Sequence, residues 1–275
     1  MIVAFAPVAA QGAARTQSYW QFAASGRLEN IVTADVNGDG VDEFIVLDRN
    51  GHLTLLAADG KEEWTYISQE PVTAIGTVDT IEQQLSIKEI VLAGADYVTM
   101  LDRDGQEQWR VPLDVASVPV AIESFDYGAD GTQDILLLMA SGELMALDIN
   151  GDTVWEFDVE DMGVGVNPQL IIDDFDGDGQ KEIVVGIFTA RRFSQLIYLD
   201  DGVVAWQQAI SRRITSLAKV PFGPTGTAIA VGTNFGQVDI YAPSGELLWY
   251  RTLNRPITAL AAVELPDEPA LAIGT

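Results

Sequence analysis

The chain has 275 residues, 48% of them hydrophobic, with 15 Lys and Arg against 41 Asp and Glu and a formal charge of −26. Such an acidic surface argues against binding to a nucleic-acid backbone, and no nucleic-acid partner is expected. The lack of cysteine excludes disulfides, thiolate zinc sites and cysteine nucleophiles, and no apolar run approaches the roughly 18–20 residues of a bilayer-spanning helix, so no direct membrane insertion is expected.

The first fourteen residues, MIVAFAPVAAQGAA, allow two readings. A short apolar stretch followed by small residues resembles the end of a secretory signal, although no Lys or Arg precedes it. The alternative is a β-strand over Ile2–Phe5. Trp20 follows. It is the first of six tryptophans, with Trp64, Trp109, Trp155, Trp206 and Trp249, at intervals of 44, 45, 46, 51 and 43 residues. Five near-equal steps of the rarest residue type mark a tandem array. The local sequence repeats as well, in AADGKEEW, DRDGQEQW, DINGDTVW and PSGELLW. A period of 40–50 residues built from short strands indicates a β-propeller with one unit per blade.

The first full unit sets the pattern. Strand A is Ile31–Ala34, strand B Glu43–Leu47, strand C His52–Leu56 and strand D Glu62–Tyr66, with Gly, Asp and Asn at the turns. B strands recur at 89–94, 134–140, 182–186 and 228–232. Their continuous apolar character fits strands covered on both faces. The repeated Trp reads as a packing anchor against the next blade. The single histidine, His52, follows the turn Asp48–Gly51 and reads as a surface residue rather than a catalytic one.

The expected fold is therefore all-β: a single β-propeller domain over 1–275 with six four-stranded blades. The blades run approximately over 30–68, 72–112, 117–160, 168–210 and 214–253. The sixth is closed by N- and C-terminal strands, joining 257–275 to 1–24. The alternative is a segment of a longer chain cut after Thr275.

Three A–B loops alternate acidic residues. The first is Asp35, Asn37, Asp39, Val41 and Glu43. Another is Asp174, Asp176, Asp178, Gln180 and Glu182. The third, Asp126, Asp130, Thr132 and Asp134, has Gly128 at its second ligand position. Calcium takes six to eight hard oxygens. Positions 1, 3 and 5 supply side-chain oxygens, the glycine at 6 allows a sharp turn, position 7 offers a carbonyl and the acid at 9 closes the shell. An EF-hand would need Glu at position 12, where Val46 and Val185 stand inside strands. With strands on both sides, the loop resembles the calcium hairpin of FG-GAP repeats in integrin α-subunit propellers and of bacterial VCBS-type repeats. The Asp-x-x-Gly-x-x-x-Trp half of each unit resembles quinoprotein-type propeller repeats. The resemblance implies structural Ca2+ in the Asp35 and Asp174 loops, with a third site in the degraded Asp126 loop. It also implies that the opposite face, built from D–A and B–C loops, is where partners bind.

Six arginines fall in predicted loops of that opposite face: Arg191, Arg192, Arg212, Arg213, Arg251 and Arg255. The longest B–C loop, 187–194, carries the first pair. On a chain of −26 such a patch concentrates positive field and steers an anionic ligand. The expected function is a non-enzymatic, calcium-stabilised scaffold that binds a protein or glycan. An extracellular, periplasmic or cell-surface setting is expected. The alternative is a carbohydrate-active or lectin-like propeller acting on acidic glycans. A quinone-type dehydrogenase is disfavoured, because no vicinal cysteines or axial ligand cluster are present.

Overall fold

The computed structural model describes residues 2–8, 15–79, 88–114, 117–126, 131–158, 168–189, 192–222, 226–264 and 269–275. The chain forms one repeating element, a meander of antiparallel strands. The N-terminal hairpin pairs β1 (Ile2–Val8) with β2 (Arg15–Phe22). Five four-stranded sheets follow. The first is β3 (Leu28–Ala34), β4 (Glu43–Asp48), β5 (His52–Leu56) and β6 (Glu62–Ile67). The second is β7 (Val72–Asp79), β8 (Lys88–Gly94), β9 (Tyr97–Leu101) and β10 (Glu107–Pro112). The third is β11 (Pro119–Phe125), β12 (Asp134–Met139), β13 (Leu144–Leu147) and β14 (Thr153–Phe157). The fourth is β15 (Gln169–Asp173), β16 (Glu182–Phe188), β17 (Ser194–Asp200) and β18 (Val203–Ile210). The fifth is β19 (Ile214–Phe222), β20 (Gly226–Thr233), β21 (Gln237–Tyr241) and β22 (Leu247–Thr252). A last hairpin pairs β23 (Ala259–Glu264) with β24 (Pro269–Gly274).

The A-to-D order read from the sequence is the order observed, and the first residues form a strand. The parts expected to make a sixth blade are two separate two-stranded sheets. By contacts, the chain divides into two compact units, Met1–Ser124 with Ile149–Gly151, and Phe125–Asp148 with Asp152–Thr275.

Within each unit the second strand of a sheet is buried on both faces. Ile90, Val91, Leu92 and Ala93 of β8, for example, are all fully buried. In the first unit Ile45, Leu53 and Leu55 of one sheet pack with Ile75, Ile90 and Leu92 of the next. In the second unit Val184, Leu196 and Tyr198 pack with Leu217, Ile229 and Val231.

The tryptophans fasten successive sheets. Trp20, Trp64 and Trp109 each donate an indole N–H to a carbonyl in the next C–D turn, at Ala58, Arg103 and Ile149 (2.9, 2.8 and 2.8 Å). In the second unit Trp206 does the same to Pro243 at 2.6 Å. Each ring lies over the glycine of the turn it contacts, namely Gly60, Gly105, Gly151 and Gly245. Those glycines have φ of 84°, 74°, 87° and 84°, a region that disfavours any Cβ. A register shift accompanies every Trp-bearing strand, and in the N-terminal hairpin it falls between Ala4 and Phe5, where Ala4 opposes Trp20. The hairpin β1–β2 thus has the ladder of a C–D pair. Trp249 is 38% exposed, on a strand whose residues are exposed throughout.

Two substitutions separate the parts of this clasp. Gly105→Ala places a methyl group 2.8 Å from the Trp64 ring at positive φ; its cost is expected to exceed the ~1 kcal/mol of an ordinary glycine change. Trp109→Phe keeps an aromatic ring but loses the bond to Ile149, a loss of about 1 kcal/mol plus the volume difference. Urea midpoints at constant slope measure both. A silent Gly105→Ala would remove the clasp as a stability element.

Candidate functional site

All three predicted acidic loops sit between the first and second strands of a sheet, as the spacing required. In the Asp35 loop the first aspartate gathers the turn. Its Oδ1 accepts from the amides of Gly38 and Asp39 (2.7 and 3.1 Å) and its Oδ2 from that of Gly40 (2.8 Å). The Asp174 loop repeats this, with Gly177 on Oδ1 (2.6 Å) and Gly179 on Oδ2 (3.2 Å). In the Asp126 loop the amide of Gly131 donates to Asp126 Oδ2 at 2.8 Å. The sixth-position glycines Gly40, Gly131 and Gly179 have φ of 85°, 88° and 94°, the freedom the motif demanded. Asp130 lies outside the described residues. Thr132 and Asp134 are described and engaged in interactions.

Second positions anchor the loops, a role the acidic pattern did not reveal. Val36 and Phe175 are buried, each in the hydrophobic core of its unit. This draws the ninth-position acids inward: Glu43 is 2% exposed and Glu182 1%. Glu43 Oε2 accepts from the amides of Val36 and Asn37 (3.0 and 3.3 Å), and Glu182 Oε2 from Phe175 (2.8 Å) and the Tyr198 hydroxyl (3.0 Å). Burial pushes both carboxyls above the usual range, against the pull of these donors; the charges of Asp176 and Asp178 add to the rise at Glu182.

The two loops differ at position 3. In the first, the Asn37 amide donates Nδ2 to Glu43 Oε1 at 2.9 Å and accepts from the Asp39 amide at 2.9 Å. In the other, position 3 is Asp176, which adds a charge instead. Asp174, Asp176, Asp178 and Glu182 bring carboxylate oxygens within 4.8 Å of one another. This donor set fits a hard divalent cation, because all its ligand atoms are anionic oxygens and the innermost is held in low dielectric. Val41 and Gln180 are exposed, and their amides donate to Asp39 Oδ1 at 2.9 Å and Asp178 Oδ1 at 2.8 Å. Lys219 of β19 reaches the base of the Asp174 loop, with Nζ 2.6 Å from Asp173 Oδ1 and 3.3 Å from the Asp174 carbonyl.

Arg212, Arg213 and Arg255 all meet the β20–β21 turn, at Phe235, Asn234 and Gly236. Arg191 lies outside the described residues. Arg192 sits in the β16–β17 turn at φ 66°. That turn is shorter than the sequence implied, because Ile187 and Phe188 extend β16 and Phe188 pairs with Ser194. Arg212 and Arg213 lie in the β18–β19 connection; Arg212 stacks over Phe235 at 4.3 Å, while the Arg213 amide donates to Asn234 Oδ1 at 3.2 Å, its carbonyl accepts from the Asn234 amide at 3.0 Å, and its buried Nε has no partner among the described residues. Arg251 is a strand residue of β22, opposite Val238, not a loop residue: the hydrogen-bonded ladder runs on through it to Thr252. Arg255 is exposed in the loop that follows.

His52 is partly exposed and takes part in a polar cluster. Its side chain is 30% exposed, beside an Asp48 side chain that is 2% exposed. Asp48 Oδ2 accepts from Ser25 Oγ (2.6 Å) and Gly26 N (2.8 Å), and Oδ1 from Asn50 N (2.9 Å) and His52 N (3.1 Å). The His52 Nδ1 lies 3.3 Å from the same Asp48 oxygen and against Ser25 Oγ. Acid and hydroxyl therefore meet one ring nitrogen, so the ring cannot pass a proton between them as a nucleophilic triad requires. The cluster is a latch tying the chain before β3 to the β4–β5 turn.

A model of the lambda-carrageenase β-propeller domain matches residues 10–97. No curated protein matches the chain. Among solved structures it is similar to BBS1N in complex with ARL6DN, at 15% identity over 90% of this chain and 77% of that one, TM-score 0.68. It is also similar to Saccharomyces cerevisiae Sqt1, at 12% identity over 94% and 72%, TM-score 0.69. A third is the Neurospora crassa Pan2 WD40 domain, at 14% identity over 89% and 71%, TM-score 0.59. At such identities the likeness is one of fold: all-β, of propeller type, in four-stranded antiparallel blades.

Burial raises the Asp48 carboxyl, but the donors from Ser25, His52 and Asn50 outweigh it and hold the pKa below the ordinary 3.8. A lowered carboxyl pKa stabilises the fold above the unfolded value, and that contribution fades as pH drops through the folded one. Asp48→Asn is expected to cost about 1.5–3 kcal/mol at neutral pH. It should also flatten the acid-side loss below pH 3.8. Chemical denaturation across that range checks both signs.

Proposed function

We propose that this chain is a non-enzymatic β-propeller scaffold, stabilised by calcium, that binds a protein or glycan partner outside the cytoplasm. The observation that carries the calcium reading is the convergence of four carboxylates within 4.8 Å at the Asp174 loop. Asp174, Asp176, Asp178, the Gln180 carbonyl and Glu182 would hold the ion. Asp35, Asn37, Asp39, the Val41 carbonyl and Glu43 would hold a second, and the loop of Asp126, Asp130, Thr132 and Asp134 a weaker third. A bound cation would offset the burial and the neighbouring charges that raise Glu182.

An ion that binds only the folded state stabilises it by about 2.7 kcal/mol at one hundred times its Kd. Melting temperature should therefore rise with calcium and fall in chelator. Asp176→Asn imitates the first loop. It is expected to raise the metal-free melting temperature and shrink the calcium increment. Equal melting curves in calcium and excess chelator would overturn the metal assignment.

The arginine-bearing loops of the fourth and fifth sheets would receive an anionic partner. BBS1N was solved in complex with ARL6DN, and partner binding of that kind supports a protein ligand here. The match to a lambda-carrageenase β-propeller domain over 10–97 favours a second reading, a lectin-like propeller for acidic glycans. Replacing Arg212 and Arg255 by Ser should weaken partner binding with little change in stability, since exposed charges contribute little to folding. Glycan arrays and affinity capture on the same variant distinguish the two readings. The proposed ring has six blades, the last shared between β23–β24 and the hairpin carrying Trp20. Slow amide exchange along the outer edge of β24 is its expected signature.

A further inference from the structure

A recess in the first unit lies at the strand ends opposite the acidic loops. A groove of about 850 Å³ is bounded by the β4–β5 turn, the β6–β7 crossing and the starts of β3 and β11. Two exposed arginines line it, Arg27 and Arg49, on neighbouring backbone joined by the Arg49 amide donating to the Arg27 carbonyl at 2.8 Å. Neither forms an ion pair among the described residues, whereas Arg103, Arg110 and Lys219 do.

Of the acids in the lining, Asp48 is consumed by its latch and Glu70 by Arg110, which leaves Glu29. The exposed carboxamides of Asn50 and Gln69 make no hydrogen bond among the described residues. Val118 and Val120, 38% and 41% exposed, add an apolar patch. No aromatic ring lines the groove among the described residues.

We infer that this groove docks an extended acidic segment of a partner protein, an inference that rests on the scaffold reading above and gives it a second, separate surface. A free carboxamide offers donor and acceptor together, the pair that an extended peptide main chain presents. Free guanidinium groups take carboxylates through two parallel bonds. A sugar ring would lack the aromatic platform on which carbohydrate faces stack. On a chain of −26 a basic segment finds negative charge almost everywhere. Two unpaired arginines at one recess mark a place that prefers an acidic one.

The test uses the full chain and a short fluorescein-labelled peptide of alternating Glu and Ala, read by anisotropy. Arg27→Gln with Arg49→Gln is expected to weaken binding at least about tenfold, the loss of one charge-assisted contact or more. A matched Lys–Ala peptide is expected to be insensitive to the pair. Melting temperature controls for folding, and Arg27→Lys with Arg49→Lys, which keeps the charge but loses the bidentate geometry, is expected to fall between. No binding by wild type, or equal binding by the Gln variant, would overturn the proposal. Loss only in Arg212→Gln with Arg255→Gln would also overturn it while sustaining the arginine face of the scaffold reading. Polygalacturonate that displaces the peptide and shows the same dependence on Arg27 and Arg49 would overturn it in favour of a polysaccharide.

Discussion

The indole laid across a turn glycine is the contact on which the rest of each unit depends. It joins two constraints in one place. The C–D turn needs a residue at positive φ, and the neighbouring sheet needs a flat surface close to backbone. Glycine meets both, and only a ring can then fill the space without a clash. The N–H of Trp20, Trp64, Trp109 and Trp206 also satisfies a turn carbonyl that would otherwise be left to solvent. Phe would pack without that bond, and Tyr would place its polar atom beyond the turn. The aspartates at the turn starts complete the arrangement: Asp102 Oδ1 accepts from the amides of Asp104 and Gln106 at 2.9 and 2.8 Å, which fixes the loop before the ring arrives.

The acidic loops solve the opposite problem, holding like charges together. Their backbone amides do much of that work, because Asp35 and Asp174 each receive several N–H groups. At the inner carboxylate the amides reach only one oxygen, Oε2 of Glu43 and of Glu182. In the first loop a carboxamide reaches the second oxygen; in the other a third aspartate stands at that place. Oxygen in place of nitrogen at position 3 thus leaves the Asp174 loop with one more negative charge beside its inner carboxylate than the Asp35 loop has. Lys219 brings a positive charge from the neighbouring strand, but to Asp173 and the Asp174 carbonyl rather than among the clustered oxygens.

The strand order was legible because it rests on local rules. Gly at turn positions, β-branched runs and one Trp per unit reproduce the observed ladders to within three residues. The acidic loops were legible for the same reason, since a ligand pattern is a local spacing. What depends on side chains meeting across sheets was not. The polar partners of His52 were invisible because Ser25 and Asp48 belong to another connection and another strand. Arg251 looked like a loop residue because nothing local announces that β22 runs on to Thr252. Val36 and Phe175 are ordinary apolar letters inside an acidic string, and only the packed core reveals that they pull Glu43 and Glu182 inward. The groove beside Arg27 and Arg49 left no trace in sequence, being assembled from segments as far apart as β3 and β11.

The tryptophan clasps also bear on the order in which structure forms. The indole bonds connect residues only 37 to 40 positions apart, and within each sheet every strand pairs with its immediate successor. Closing such short loops costs little chain entropy, so each meander can form soon after its last strand is available and then offer its turn to the tryptophan already waiting on the preceding sheet. Assembly of this kind resembles a zipper more than a collapse: growth is sequential, each tooth is independent of distant parts of the chain, and damage to one clasp falls on its two neighbouring sheets first.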